Sequence, residues 1–392
     1  MRRSLLAFAI VMLPVTSVLA TPADPPKFER IVIDNDFPGA YQVEVADVNG
    51  DKKPDVIVVG GGTCAWYENP TWKKRIVTTP KQTPGIISSA TADLDGDGKA
   101  EIAIAYEFAM NEPKKGKLLL AAQGKTVEDP WTLKPVDDIG SIHRIRWNEE
   151  KRPAGLIVAP LFGADARPPT YDQDAAKILL FEIDGSPDPK AWKRRAIGER
   201  PVLHAIEFVV GGGGHAIPFL FTADNLGVGL VAIGDRTFST LVPGAAGPKP
   251  KRGASEFHLG RSGKGDWAFL ATIEPWHGTE VAVYDLRREK KDNSWPPKFG
   301  PRVILDDTLD EGHALWTADI DGDGDDEVFA GHRGKDHRVS MYRFDGKAWN
   351  KTVLDRDIAA QDMRGGDLDG DGKPDVVTVG GSTHNVVWYR FK

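Results

Sequence analysis

Apolar residues along this chain come in short runs, some alternating with polar positions and some continuous, separated by Gly- and Pro-rich turns. Runs of that kind and length argue β-strands rather than helices. Four segments share one pattern: Ala46–Gly60, Ala92–Ala105, Ala318–Gly331 and Gly366–Gly380. Each has a short β-type segment, then an acidic loop, then a largely apolar run such as Val56 to Val59. Neighbouring repeats recur at about 45 residues, the period of a four-stranded propeller blade. Between Gly140 and Thr308 the acidic loop is missing but the rhythm persists. Ile142–Trp147 with Leu156–Pro160, Leu203–Val209 with Ile217–Thr222, and Ser255–Leu259 with Trp267–Ile273 read as three further strand pairs. Four blades and three give an all-β, seven-bladed β-propeller, with six or eight as the neighbouring counts.

The chain ends support closure of the ring. Val386–Lys392 matches Cys64–Asn69 of the first blade, which continues into an outer strand over Trp72–Val77. The last blade has no such continuation, and Phe28–Asp34 resembles the strand it lacks. Pairing the N-terminal strand there removes an open sheet edge.

Composition narrows the class. Apolar types at 41% and charged types at 27% are a globular balance. A net charge of -7 excludes a generally basic surface, so nucleic acid is not an expected partner. A single cysteine, Cys64, excludes an intramolecular disulfide framework. Residues 1–20 read as a signal peptide: Arg2 and Arg3, an apolar run from Leu5 to Leu13, and small residues before Thr21. That leaves residues 21–392 as a single propeller domain, secreted or periplasmic, monomeric and without membrane insertion.

The acidic loops suit calcium. In the second repeat Asp93, Asp95 and Asp97 fall at loop positions 1, 3 and 5, Gly98 at 6 and Glu101 at 9. Alternating carboxylates surround one point, and the Gly permits the sharp turn, as a hard cation with six to eight oxygens requires. The set recurs as Asp319, Asp321, Asp323 and Glu327, and as Asp367, Asp369, Asp371 and Asp375. The first repeat has Asp47, Asn49, Asp51 and Asp55, with Lys52 in place of the Gly. The expected role is structural, with Ca2+ clamping each turn between first and second strands.

On these loops the sequence resembles the FG-GAP/VCBS-type repeat family of seven-bladed, calcium-binding propellers. The literal Phe-Gly and Gly-Ala-Pro signatures are missing, so the family's adhesive role is not implied. Ala271–Gly278, Gly312–Gly324 and Thr383–Tyr389 resemble the propeller domain of the aldos-2-ulose dehydratase family, whose members dehydrate keto-sugars at a metal site. That family's cupin domains have no counterpart in these residues, which puts its isomerase activity outside what the resemblance implies.

The histidines point to one mouth. His143, His204 and His313 start innermost strands, whereas His277, His332 and His384 fall in or near second-strand exit loops. His258 lies on a first strand beside Glu256. In a propeller these positions share the face opposite the acidic turns, with Glu311, Asp362 and Arg364 on the same rim. Such a cluster suits Zn2+ or another divalent metal, with one or two imidazoles left for acid-base work. His143, His204, His313 and Glu311 are the candidate catalytic residues. His277, His332, His384, Arg364 and Tyr171 are candidates for binding substrate. Tyr171 and Arg167 lie on the longer of two long loops of this face, Leu161–Ala175; the other is Glu107–Gly116. Gly211–Gly214 has no following Lys and reads as a turn, and no nucleophile motif is present. Two readings follow: a metal-assisted lyase or dehydratase acting on a carbohydrate, or a non-catalytic propeller binding a glycan or a protein. The geometry of the histidines discriminates between them.

Overall fold

A computed structural model describes residues 26–148, 155–183, 186–210, 218–233, 237–263, 267–287 and 296–392. The leader segment, Gly211–Gly214, His215 and Ile217 lie outside the described residues. The rest forms seven four-stranded antiparallel sheets arranged as a propeller. Blades one to six each use four consecutive strands. Blade seven combines Ala360–Gly366, Asp375–Gly380 and Val386–Phe391 with the N-terminal strand Phe28–Asp34. That strand pairs antiparallel with the last one, Phe28 opposite Phe391 and Ile31 opposite Trp388. The ring is therefore closed by the two ends of the chain.

The burial pattern explains the sequence pattern. Second strands such as Asp55–Gly60, Gly155–Pro160 and Asp375–Gly380 are buried at every position, because both faces meet neighbouring blades. Outer strands such as Lys73–Thr78 carry several exposed positions. Seven apolar clusters fill the seven junctions between blades. Trp66 packs between blades one and two and Trp388 between seven and one, each among β-branched side chains.

A recurring polar clip joins blades at their rims. Tyr67 donates to Asp34 at 2.5 Å, Tyr342 to Asp306 at 2.6 Å and Tyr389 to Asp355 at 2.8 Å. Each tyrosine sits on the third strand of its blade, and each aspartate ends the outer strand of the preceding blade. A cation from the tyrosine's own blade completes the clip: Lys74 on Asp34, Lys351 on Asp306, and Arg30 on Asp355.

Candidate functional site

The mouth is built by a repeated local device. A left-handed residue precedes each of four inner strands: Gly39, Ser141, Val202 and Glu311, with φ between 51° and 65°. Two positions after each stands the side chain that enters the mouth: Tyr41, His143, His204 and His313. The sheet register skips Tyr41, His143, His313 and also Gln361, so these residues are bulged out of their ladders. A bulge beside a strand start re-aims its side chain, here toward the axis. Glu311 thus contributes a backbone corner; its carboxylate is half exposed and pairs with Arg333 at 3.1 Å.

Hydrogen bonds across blades fix the ring tautomers. His143 donates Nδ1–H to the carbonyl of His204 at 3.1 Å, His204 to that of Ser255 at 3.0 Å, and His313 to that of Gln361 at 2.6 Å. A carbonyl only accepts, so each Nδ1 carries the proton and each Nε2 turns a lone pair to the axis. His277, itself at a left-handed corner, brings its Nε2 to 2.8 Å from Nε2 of His204. One nitrogen from each of His204, His277 and His313 lies within 4.8 Å of the others. The His143 ring stands 4.7 Å from that of His204, and its Nε2 accepts the Tyr41 hydroxyl at 2.9 Å. Burial, with the charges of Arg144 and Arg333 and, except at His204, neighbouring imidazoles, holds all four imidazoles well below the ordinary histidine range. They are neutral at neutral pH. Neutral imidazoles with oriented lone pairs are the donor set of a zinc site, and the carbonyl partners of His204 and His313 are its usual second layer; Arg333 facing Nδ1 of His277 leaves that ring's proton on Nε2, so His277 would join the set only after a change of tautomer.

The remaining candidates go elsewhere. His332 turns its Nδ1 to the backbone of Asp310, while the next residue, Arg333, reaches His277 at 3.3 Å. His384 occupies a left-handed corner and accepts the amide of Phe37 through its carbonyl. His258 lies deeper, its ring 4.1 Å from Trp316 and its Nδ1 2.5 Å from the Thr317 hydroxyl. Arg364 pairs with Asp362 at 3.2 Å and lies over Trp316. Tyr171 stacks on Phe162 in a loop cluster that includes Trp276 and Phe108, whose rings lie 4.9 Å from His277 and 5.6 Å from His143. A cavity of about 520 Å³ opens between the two long loops, lined by Met110, Lys114, Arg167 and Tyr171. Tyr41, Arg144, Gln361 and Arg333 were not singled out from sequence. The first and third share the strand-start position of His143 and His313, which is a legible signal once the blades are aligned.

The acidic turns cap the opposite ends of the first strands. Position-1 carboxylates accept two backbone amides each: Asp47 from Gly50 and Lys52, Asp93 from Gly96 and Gly98, Asp319 from Gly322 and Gly324, Asp367 from Gly370 and Gly372. Lys52 adopts φ 69° where the other loops have Gly at 89° to 97°. Carboxylate oxygens cluster in Asp93, Asp95 and Glu101, in Asp319, Asp321 and Glu327, and in Asp367, Asp369 and Asp371. Asp97, Asp323 and Asp375 stand outside those closest sets, as do Asp47, Asn49, Asp51 and Asp55 of the first loop. Asp55 spends both oxygens on the amides of Val48 and Asn69. In the third acidic loop Arg343 contacts Asp321 at 2.8 Å and Asp323 at 3.3 Å. Burial, with repulsion from the loop aspartates, raises Asp55 to about 7, Glu101 to about 7, Glu327 to about 8 and Asp375 to about 6.

Fold and repeats together define a seven-bladed propeller carrying FG-GAP-like repeats, which match over residues 35–104 and 319–378. Among individual proteins, the chain is similar to aldos-2-ulose dehydratase of Phanerodontia chrysosporium, at 22% identity over 354 residues. The match covers 80% of this chain but 38% of that protein, so the chain spans under two fifths of its relative. Two solved structures share the fold alone. One is a chain of a mitotic checkpoint complex, at TM-score 0.56 and 12% identity, covering 100% of this chain and 99% of that one. The other is a candidate 6-phosphogluconolactonase from Bacteroides fragilis, at TM-score 0.51 and 12% identity, covering 89% and 90%.

Proposed function

We propose that the mouth is the site of a metal-assisted lyase or dehydratase acting on a carbohydrate, with a keto-sugar suggested by the distant dehydratase relative. The observation that carries this reading is the convergence of His204, His277 and His313, each from a different blade, on one point. Those three imidazoles would hold Zn2+ or a similar divalent ion. A metal so held supplies Lewis acidity toward a substrate carbonyl. His143, left outside the trio, has an Nε2 that faces the axis and is positioned to take a proton from the carbon next to that carbonyl. Tyr41, already donating to that nitrogen, is placed to return a proton to the departing oxygen. The long loops bearing Phe108 and Tyr171 would flank the sugar. On the opposite face, Ca2+ in the acidic loops would act as a structural clamp. Export and a monomeric state complete the proposal.

Metal analysis of the full chain is the direct test. About one Zn2+ bound per chain, lost in His313→Ala with the melting temperature nearly intact, is the expected result. Turnover of a keto-sugar to an unsaturated product, read by its ultraviolet absorbance, should fall with it. Zn2+ uptake that is unchanged when His204, His277 and His313 are all replaced would remove the metal site. A carbohydrate bound but unchanged would instead leave a binding propeller.

A further inference from the structure

The mouth carries more positive charge than a neutral sugar needs. Its ligand trio contains no carboxylate, so a divalent ion held there would keep its full charge. Arg333 lies at the outer side, donating Nη2 to His277 Nδ1 at 3.3 Å and Nε to Glu311. Lys251 reaches the same histidine from its backbone side, its Nζ 3.3 Å from the carbonyl of His277 and 6.0 Å from the centre of the Trp276 ring. Arg144 lies on the channel side of the histidines, its side chain 6% exposed. It donates to the His143 carbonyl at 3.1 Å, and its guanidinium lies 5.4 Å from the Tyr41 ring. Its nearest carboxylate, Glu256, pairs with it loosely at 3.5 Å, and the same Oε1 lies 3.0 Å from Nδ1 of His204. Glu311, the carboxylate Arg333 does hold, is half exposed and sits at a corner of the rim.

A guanidinium fork is matched to a planar carboxylate, and a hydroxyl gains much less from it. We propose that the substrate is an acidic sugar, a uronate or keto-aldonate. Arg333, assisted by Lys251, reads its carboxylate and displaces Glu311, while Arg144 supplies positive charge from beneath. This rests on the lyase reading and specifies its substrate class. The carboxylate also acidifies the carbon beside it. His143 Nε2 takes that proton, the C–H electron pair becomes the new C=C bond, and the neighbouring C–O bond breaks. The oxygen leaves with its electron pair and takes a proton from Tyr41. No oxidant or reductant is required.

The test compares D-glucuronate with D-glucose, titrated calorimetrically into the full chain both Zn-loaded and metal-stripped. Glucuronate should bind about ten-fold or more tighter than glucose in both forms, as expected for a charge-assisted pair. Arg333→Gln, at a partly exposed position, should erase most of that preference, and Arg144→Gln should reduce it. Should Arg144→Gln fail to fold, the wild type and Arg333→Gln still decide. Equal affinity for the two sugars, no binding of glucuronate, or a preference surviving in Arg333→Gln would each overturn the inference. Failure to take up Zn2+ would strike the lyase reading alone, because the metal-stripped protein still reports the guanidinium contribution.

Discussion

Asp355 clips both ends of the chain to blade six. Its Oδ2 accepts Arg30 of the N-terminal strand at 2.6 Å and Tyr389 of the C-terminal strand at 2.8 Å, while Oδ1 accepts the Asp357 amide. The carboxylate is 2% exposed and Tyr389 is fully buried. Asp355→Ala strands a buried phenol and a half-buried guanidinium, a loss of about 3–5 kcal/mol. Tyr389→Phe leaves Asp355 still paired with Arg30, so its cost is about 1.5–3 kcal/mol. A chain of this length has an unfolding entropy of about 0.8 kcal/mol/K near its midpoint. Differential scanning calorimetry should therefore show Asp355→Ala about 4–6 °C below wild type and Tyr389→Phe about 2–4 °C below. Because the two share one contact, the double variant should melt well above the sum of the single losses. Additive losses, or an Asp355→Ala midpoint within about 1 °C of wild type, would refute the claim that this aspartate secures the closure.

The sister clip should show in acid. Burial alone would raise Asp306, but bonds from Lys351, Thr308 and Tyr342 outweigh it and hold the carboxyl well below the usual range. Its contribution is thus present above the unfolded carboxylate range and lost as pH falls through the folded value. Lys351→Met should move the acid-unfolding midpoint upward and converge with wild type at the lowest pH; parallel profiles would contradict this. The acidic turns run the other way, since Asp55, Glu101, Glu327 and Asp375 titrate between about 6 and 8. Without a cation, stability should fall as pH rises from the unfolded carboxylate range up to those values, and calcium binds the ionised carboxylates, so excess chelator should lower the melting temperature markedly at pH 8 and little at pH 5. Asp95→Ala should remove more bound calcium than Asp321→Ala, because Arg343 already neutralises the latter's loop; equal losses would count against that role for Arg343.

Most of the fold was legible because blade spacing and acidic turns are written in residue type. The three loop-less blades were placed by rhythm alone, and their strands begin within about two residues of expectation, a usual boundary error. The sequence pattern places Leu203 in its strand, but Leu203 follows the left-handed corner at Val202, and the strand proper begins at Ala205. Of the histidines, His143 and His313 reach the axis because a bulge turns them there, His204 from the residue before its strand, and His277 from its corner. His332 does not, because it ends a strand whose neighbouring residue, Arg333, faces the mouth; alternation sends the pair apart. Bulges and left-handed corners at Ser141 or Glu311 leave no mark in residue type; Tyr41 and Gln361 are marked only by their place at strand starts when the blades are aligned.

The separation of the two faces has a physical basis in what lies between them. Along the axis Glu44, Arg146, Glu256, Asp362 and Arg364 face one another, and this layer is expensive to bury. Burial, with the charge of Arg364, lowers Arg146 to about 10, and burial raises Glu44 despite its bond to Ser89. Replacing such charges by apolar side chains often leaves a protein as stable or more so. The ring can carry them because its cohesion resides elsewhere, in the seven apolar junctions and the rim clips. An axis free of structural duty can hold a polar floor under the histidines. In that floor Arg144 is fixed within reach of His143 Nε2 at 3.3 Å. Charge is thus stored where the proposed chemistry would use it, and the acidic turns, a strand's length away, can change without disturbing the mouth.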